Sequence, residues 1–211
     1  MGEAMLNLPN ILTLSRILLV IVFTIVLAVG GEVSPFINEV SGGWFSPIST
    51  TACIALWAFV VGAITDFLDG YIARKYNLVT NFGKLMDPLA DKILVSAAFI
   101  YLTYAGICPF WITTIIIFRE FLVTGLRQLA VEQGQVIAAD RYGKWKTVFQ
   151  LVYCIACMVQ LAYGGNLPEP LRSLSIGLGG EILRTASLWL SLLLTVGSGL
   201  NYCIQSRHLI H

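Results

Sequence analysis

The sequence predicts an all-α, polytopic membrane protein with six transmembrane helices and with both its N- and C-termini in the cytoplasm. Of its 211 residues, 57% are hydrophobic and 12% are charged, and the mean hydropathy is +0.80. Soluble domains carry about 25% charged residues, so this composition argues against a soluble protein. A spanning helix needs roughly 20 mostly apolar residues, and the chain contains six such stretches.

The six predicted spans follow one another without a polar linker long enough to separate two domains. They run near 11–30, 50–73, 86–106, 109–130, 146–164 and 175–203. We therefore predict a single domain over residues 1–211, with residues 1–10 lying along the membrane surface before the first span. Asn10 or Thr13 is placed to satisfy free backbone donors where the first helix starts.

Basic residues fall on alternate connections, and such residues favour the cytoplasmic side. One set of loops holds almost no lysine or arginine: 31–49, 105–110 and, apart from Arg172, 165–174. The other set holds three basic residues in each connection and one in the tail: 74–84, 131–146 and Arg207. This alternation predicts that both termini and the predicted connections 74–84 and 131–146 lie on the cytoplasmic side of the membrane.

Four aspartates stand close together in a chain that has few other acids. Asp66 and Asp69 lie near the cytoplasmic end of the second span, and Asp87 and Asp91 lie at the start of the third. Helical residues three or four apart share a face, so each span presents two carboxylates side by side. Four anions cannot gather where hydration is poor unless cations join them. The apolar residues between these acids argue against a solvated helix end, and oxygen ligands favour Mg²⁺ or Mn²⁺.

Other residues of this stretch also suit a binding site. Gly70 and Ala73 keep one helix face small, which permits close approach of a ligand or a helix. Arg74 lies one turn beyond the acids, where a guanidinium can grip a phosphate. Its alternative role is that of a basic residue marking the cytoplasmic side.

The spacing Asp-x2-Asp-Gly-x2-Ala-Arg-x8-Gly-x3-Asp-x3-Asp is matched at every fixed position by residues 66–91. It resembles the signature of the CDP-alcohol phosphotransferase family, and six spans agree with that family's architecture. The resemblance implies that a CDP-linked lipid gives its phosphatidyl group to an alcohol and that CMP is released. It also implies a homodimer, because family members are commonly dimers.

The resemblance assigns roles to the residues of the motif. Asp66, Asp69 and Asp87 would hold a first metal ion, and Asp66, Asp87 and Asp91 a second. Asp91 would also accept the proton, since a carboxylate held by a single cation keeps more of its basicity. The donor CDP-diacylglycerol would be bound by a further set of residues: Asn10, Thr13, Gly70, Arg74 and Thr80.

Several cationic residues outside the motif suggest an acceptor that carries its own phosphate. They are Arg16 in the first span, Arg119 and Arg127 in the fourth, and Lys144 before the fifth. Arginines inside membrane spans are functional candidates by default, although Arg119 could instead pair with Glu120 or an aspartate. Residues 8–16, 118–127 and 143–147 resemble family members whose acceptor is glycerol 3-phosphate, which implies that these four cations bind it.

The sequence also leaves two other functions open, one with the same transfer reaction and one of a different class. The same transfer could use phosphatidylglycerol, serine or inositol phosphate as the acceptor. A divalent-cation transporter is a different class, but all four aspartates lie in one half of the chain and Arg74 would repel a cation in transit. The net charge of +1 gives no sign of a nucleic-acid partner, and none is expected. The five cysteines lie in apolar stretches, where thiols behave as small hydrophobes.

Overall fold

The computed structural model describes residues 8–29, 50–76, 81–132, 141–163, 167, 170 and 177–205. These ranges contain six α-helices and no strand. The helices are α1 Leu8–Val29, α2 Thr50–Tyr76, α3 Asn81–Tyr104, α4 Phe110–Glu132, α5 Arg141–Tyr163 and α6 Leu178–Gln205. The prediction of an all-α chain with six long helices is confirmed.

Several helices begin earlier than the apolar pattern predicts. Helix α1 begins at Leu8, so the last residues of the predicted surface segment 1–10 belong to it, and residues 1–7 lie outside the described ranges. Helices α3 and α5 each begin five residues before the predicted start. Hydropathy marks only the apolar part of a helix, whereas the polar and charged turns at its end continue the same hydrogen-bonded ladder.

Helices α2 and α3 form an antiparallel hairpin. A Cβ atom added at Gly62 would lie 2.9 Å from Leu94 Cδ2, so these two positions are level with each other. Gly62 is 14 residues before the end of α2 at Tyr76, and Leu94 is 13 residues after the start of α3 at Asn81. These nearly equal distances from the connection 77–80 require the two helices to run in opposite directions. The bundle end that holds the end of α2 and the start of α3 is called here the motif end.

One contact between α2 and α5 and another between α1 and α3 give the directions of α1 and α5. The Cys53 thiol near the start of α2 lies 3.7 Å from the carbonyl oxygen of Ala162 near the end of α5. The rings of Phe23, late in α1, and Tyr101, late in α3, meet edge to face at 6.2 Å. Both α1 and α5 therefore start at the motif end.

Helices α4 and α6 run parallel to each other. Trp111 packs against Trp189 with ring centroids 6.2 Å apart, and further along both helices Arg119 bonds Ser198. The tight turn at 105–109 returns α4 toward the motif end. Six helices of alternating direction thus bring together three helix starts and three helix ends at the motif end.

The packed interior is apolar, and so is much of the exterior. Phe59, Phe99 and Met158 are fully buried, while large apolar side chains such as Leu18 and Leu193 are exposed. An apolar outer surface is typical of a protein embedded in lipid. Within the described ranges, two helical segments are long and apolar enough to cross a membrane: Gly143–Tyr163 and Leu178–Tyr202.

We expect Gly62→Ala to destabilise the hairpin that carries the aspartates. The added methyl group would meet Leu94, which is buried, and overpacking of this kind costs about 1–3 kcal/mol. Gly125→Ala is the matched control, because nothing lies within 4 Å of a Cβ added there. Thermal unfolding of both variants in detergent checks the prediction, and equal midpoints for the two would contradict it.

Candidate active site

The backbone of the aspartate motif lies on the α2–α3 hairpin between the Gly62–Leu94 contact and the connection 77–80. At 1.5 Å per residue, Asp66 and Asp69 lie about 6 and 10 Å along α2 from that contact. Asp91 and Asp87 lie about 5 and 10 Å back along α3. The two pairs therefore stand at matching heights on neighbouring antiparallel helices.

The residues predicted to bind the donor also lie toward the motif end. Gly70 and Arg74 lie in the last turns of α2, and Asn10 and Thr13 lie near the start of α1, all toward the motif end. The side chains of these residues and of the four aspartates lie outside what the structure describes, and Thr80 lies outside it altogether.

Beside the motif, four charged side chains form what we call the charge cluster: Lys92, Arg119, Glu120 and Lys146. One Glu120 oxygen, Oε1, accepts a hydrogen bond from Lys146 Nζ and lies 3.7 Å from Arg119 Nη1. The other oxygen, Oε2, lies 3.5 Å from Lys92 Nζ. Arg119, Glu120 and Lys146 are 8%, 4% and 2% exposed. The cluster thus joins cations from α3, α4 and α5 around one carboxylate.

Helix α6 holds Arg119 from its other side. Arg119 Nη2 donates a hydrogen bond of 2.7 Å to Ser198 Oγ, and the guanidinium lies 5.9 Å from the ring centroid of Tyr202. A Cβ atom at Gly199 would come within 3.1 Å of Arg119 Cγ. The absence of a side chain there lets the arginine stem lie directly on the helix.

The charge cluster gathers three cations around one carboxylate next to the aspartate motif. Lys92 directly follows Asp91 on α3, so the cluster adjoins the last aspartate. A buried charge is tolerated only when other charges or hydrogen bonds compensate it. Three cations gathered in one place make this region suited to an anionic ligand.

The structure describes the side chains of three of the four cations predicted to bind the acceptor. Arg119 belongs to the charge cluster. It pairs with Glu120, which is the alternative role that the sequence analysis gave it. Arg127 and Lys144 are exposed and make no ion pair with another described residue. Arg16 lies in the first half of α1, and its side chain is outside the described part of the chain.

Two basic members of the charge cluster, Lys92 and Lys146, were missed by the sequence analysis. Lys146 could have been recognised as a buried residue from its helical register, because it lies on the same face of α5 as the buried residues Gln150, Tyr153 and Cys157. Lys144, two residues away, points to a different side of the helix. Lys92 offers a weaker signal, which is its position immediately after Asp91.

We expect Gly199→Ala to weaken acceptor binding. The new methyl group would displace the Arg119 stem by a few tenths of an ångström, and misplacement of binding groups is costly. The expected rise in KM for the phosphorylated acceptor is about threefold or more. Gly197→Ala is the matched control on the same helix, since nothing lies within 4 Å of its added Cβ. Equal acceptor KM values for the two variants would contradict the proposal that α6 positions Arg119.

A comparison with protein families decides what kind of protein carries this site. Residues 6–197 match the sequence model described as CDP-alcohol phosphatidyltransferase. The chain belongs to this family. The resemblance drawn from the aspartate spacing is therefore confirmed, and the CDP-alcohol phosphatidyltransferase match covers all six helices except the end of α6.

Bacterial relatives of this CDP-alcohol phosphatidyltransferase carry a more specific name. CDP-diacylglycerol–glycerol-3-phosphate 3-phosphatidyltransferase of Bacillus subtilis strain 168 is 42% identical over 201 residues, 94% of each chain. The protein of the same name from Rickettsia bellii is 36% identical over 93% of each chain. A probable phosphatidylglycerophosphate synthase of Mycobacterium tuberculosis is 42% identical over 147 residues, 69% of this chain and 63% of the relative.

The remaining candidate metal ligands do not form a second site among the described residues. No group of three histidine, cysteine, aspartate or glutamate side chains is found there. Cys53, Cys108, Cys154 and Cys157 are free thiols, and all but Cys53 are buried. This environment agrees with the structural role expected of them.

Proposed function

We propose that this protein is a phosphatidylglycerophosphate synthase of phospholipid biosynthesis. It transfers the phosphatidyl group of CDP-diacylglycerol to sn-glycerol 3-phosphate, giving phosphatidylglycerol phosphate and CMP. Family membership supports the transfer chemistry. Relatives with this activity in their names, similar over almost the full length of both chains, support the choice of donor and acceptor.

The charge cluster is the structural observation that supports a phosphate-bearing acceptor. Its three cations gather beside Asp91, and a phosphate monoester such as glycerol 3-phosphate carries about −1.5 to −2 charges at pH 7. The phosphodiester of phosphatidylglycerol carries a single charge, and serine carries no phosphate, so both suit the cluster less well. Inositol phosphate is also a monoester, and the names of the relatives favour glycerol 3-phosphate over it.

The four aspartates suit a pair of Mg²⁺ or Mn²⁺ ions, since the donor set is entirely carboxylate and the two pairs stand at matching heights. Asp66, Asp69 and Asp87 would hold one ion, and Asp66, Asp87 and Asp91 the other. Bound there, the ions would neutralise charge on the pyrophosphate and on the departing CMP.

The protein's own residues then bind, orient and move a proton. The acceptor hydroxyl oxygen bonds to the phosphatidyl phosphorus, and the bond from that phosphorus to the CMP oxygen breaks. Asp91 takes the hydroxyl proton. We assign donor binding to Asn10, Thr13, Gly70, Arg74 and Thr80. We assign acceptor binding to Arg16, Arg119, Arg127 and Lys144, together with Lys92 and Lys146.

We place this reaction at the cytoplasmic face of a bacterial membrane. All six helices cross the membrane in the proposed arrangement, and the motif end faces the cytoplasm together with both termini. The basic connections 74–84 and 131–146 lie at that end, as the preference of lysine and arginine for the cytoplasm requires. The chain functions as one domain, residues 1–211, in a homodimer.

Purified protein in mixed micelles with CDP-diacylglycerol and Mg²⁺ tests the acceptor. Glycerol 3-phosphate, phosphatidylglycerol, serine and inositol phosphate are supplied singly and then in equimolar competition, with the lipid product identified by mass spectrometry. We expect phosphatidylglycerol phosphate as the main product in the competition. Cardiolipin or an inositol phosphate lipid as the main product would overturn the acceptor and leave the chemistry intact.

A further inference from the structure

Glu120 carries a negative charge in a region that we assign to a negatively charged phosphate. A buried carboxylate repels an anionic substrate, and Glu120 is 4% exposed within the region assigned to the acceptor. No step of the proposed transfer uses it, because the proton goes to Asp91. Its presence therefore requires an explanation other than contact with substrate.

The contacts of Glu120 supply that explanation. Its two oxygens are divided between different helices, with Oε1 bonded to Lys146 of α5 and Oε2 facing Lys92 of α3. Arg119, its neighbour on α4, shares Oε1 at 3.7 Å. One carboxylate thus fixes the relative positions of three cations that come from three helices.

Charge repulsion within the cluster shows what Glu120 contributes. Lys92, Arg119 and Lys146 carry like charges, and like charges in a region of low dielectric constant repel each other. Glu120 contacts all three cations and offsets one of their charges. The carboxylate therefore holds the cations together before substrate arrives.

We propose that Glu120 is a positioning residue that preorganises Lys92 and Lys146 for the phosphate of the acceptor. This inference rests on the proposed function, since it concerns the same acceptor site. Glu120 itself does not touch the substrate. It acts through the two lysines, and its removal should therefore impair the binding of glycerol 3-phosphate and leave the donor unaffected.

The test compares Glu120→Gln and Glu120→Asp in steady-state assays of the full-length protein. We expect Glu120→Gln to raise KM for glycerol 3-phosphate by about tenfold or more, with KM for CDP-diacylglycerol within about twofold of the wild-type value. Glu120→Asp keeps the charge with a shorter reach, and it should restore part of the loss. Equal increases in both KM values, or no change in either, would overturn the proposal.

A double-variant cycle tests whether Glu120 acts through Lys146. If it does, Glu120→Gln combined with Lys146→Met should raise the acceptor KM by clearly less than the product of the two single increases. Losses that multiply would contradict a positioning role. Should Glu120→Gln fail to fold, Glu120→Asp carries the test alone, and a wild-type acceptor KM in that variant would overturn the proposal.

The wild-type assay separates this inference from the proposed function. If the wild-type protein forms no phosphatidylglycerol phosphate from glycerol 3-phosphate, the proposed function fails. If it forms that product and Glu120→Gln retains a wild-type acceptor KM, only the role of Glu120 fails.

Discussion

Asp91→Asn should lower turnover by about a thousandfold or more while CDP-diacylglycerol binding changes little. An amide has nearly the shape of a carboxylate but cannot take the acceptor's proton, and general-base catalysis typically contributes about 10²–10⁴-fold. Loss of one charged metal ligand adds to the effect. Three aspartates remain to hold metal and donor, so the lipid substrate should still bind.

Turnover is measured as CMP release at saturating substrates, and donor binding by the shift in thermal unfolding with added CDP-diacylglycerol. Glu181→Gln is the matched control, since it makes the same chemical change at an exposed position in the first turn of α6, away from the motif end. Near-normal turnover in the Asp91 variant would show that another group accepts the proton. Loss of donor binding would instead make Asp91 chiefly a ligand of the donor site.

Arg119→Ala should raise KM for glycerol 3-phosphate by about thirtyfold or more, with a much smaller effect on the donor. The guanidinium is buried and is held by Glu120 on one side and by Ser198 on the other. Such a fixed cation loses little freedom when it binds a phosphate, which makes its contribution large.

Arg119→Lys distinguishes charge from geometry, because lysine keeps the charge but cannot form the same paired hydrogen bonds. We expect it to recover only part of the loss. Gln128→Ala, an exposed change on the same helix, is the control and should leave both KM values unchanged. A larger effect on CDP-diacylglycerol than on glycerol 3-phosphate would place Arg119 on the donor side.

The aspartate motif could be predicted from sequence because its chemistry depends on local spacing. Asp66 and Asp69, like Asp87 and Asp91, are three or four residues apart, and helical geometry alone places each pair on one face. The short connection 77–80 then brings the two pairs together. No distant contact is needed to recognise them.

The charge cluster could not be predicted in the same way, because its members come from three helices and a fourth helix, α6, holds Arg119. Arg119 and Ser198 are 79 residues apart, and none of the motifs named in the sequence analysis lies in α6. Helix α6 nevertheless supplies the hydroxyl, the ring and the side-chain-free position that hold Arg119. These contributions come from packing, which single-sequence patterns do not reveal.

Lys144 and Lys146 show where helical register adds information to a motif. Both lie in the segment 143–147, and of these two lysines the sequence analysis named only Lys144 among the acceptor ligands. The structure buries Lys146 against Glu120 and leaves Lys144 exposed. A residue two positions along a helix is turned by about 200°, so the buried stripe of α5 admits only one of the two lysines.

The stoichiometry of a single reaction tests the central claim most directly. Purified protein is given CDP-diacylglycerol, Mg²⁺ and isotopically labelled glycerol 3-phosphate, and CMP and labelled lipid are quantified from the same sample. We predict one phosphatidylglycerol phosphate for every CMP released, with neither formed when the acceptor is omitted. CMP release without labelled lipid, or no CMP with any of the four acceptors, would contradict phosphatidyl transfer to glycerol 3-phosphate.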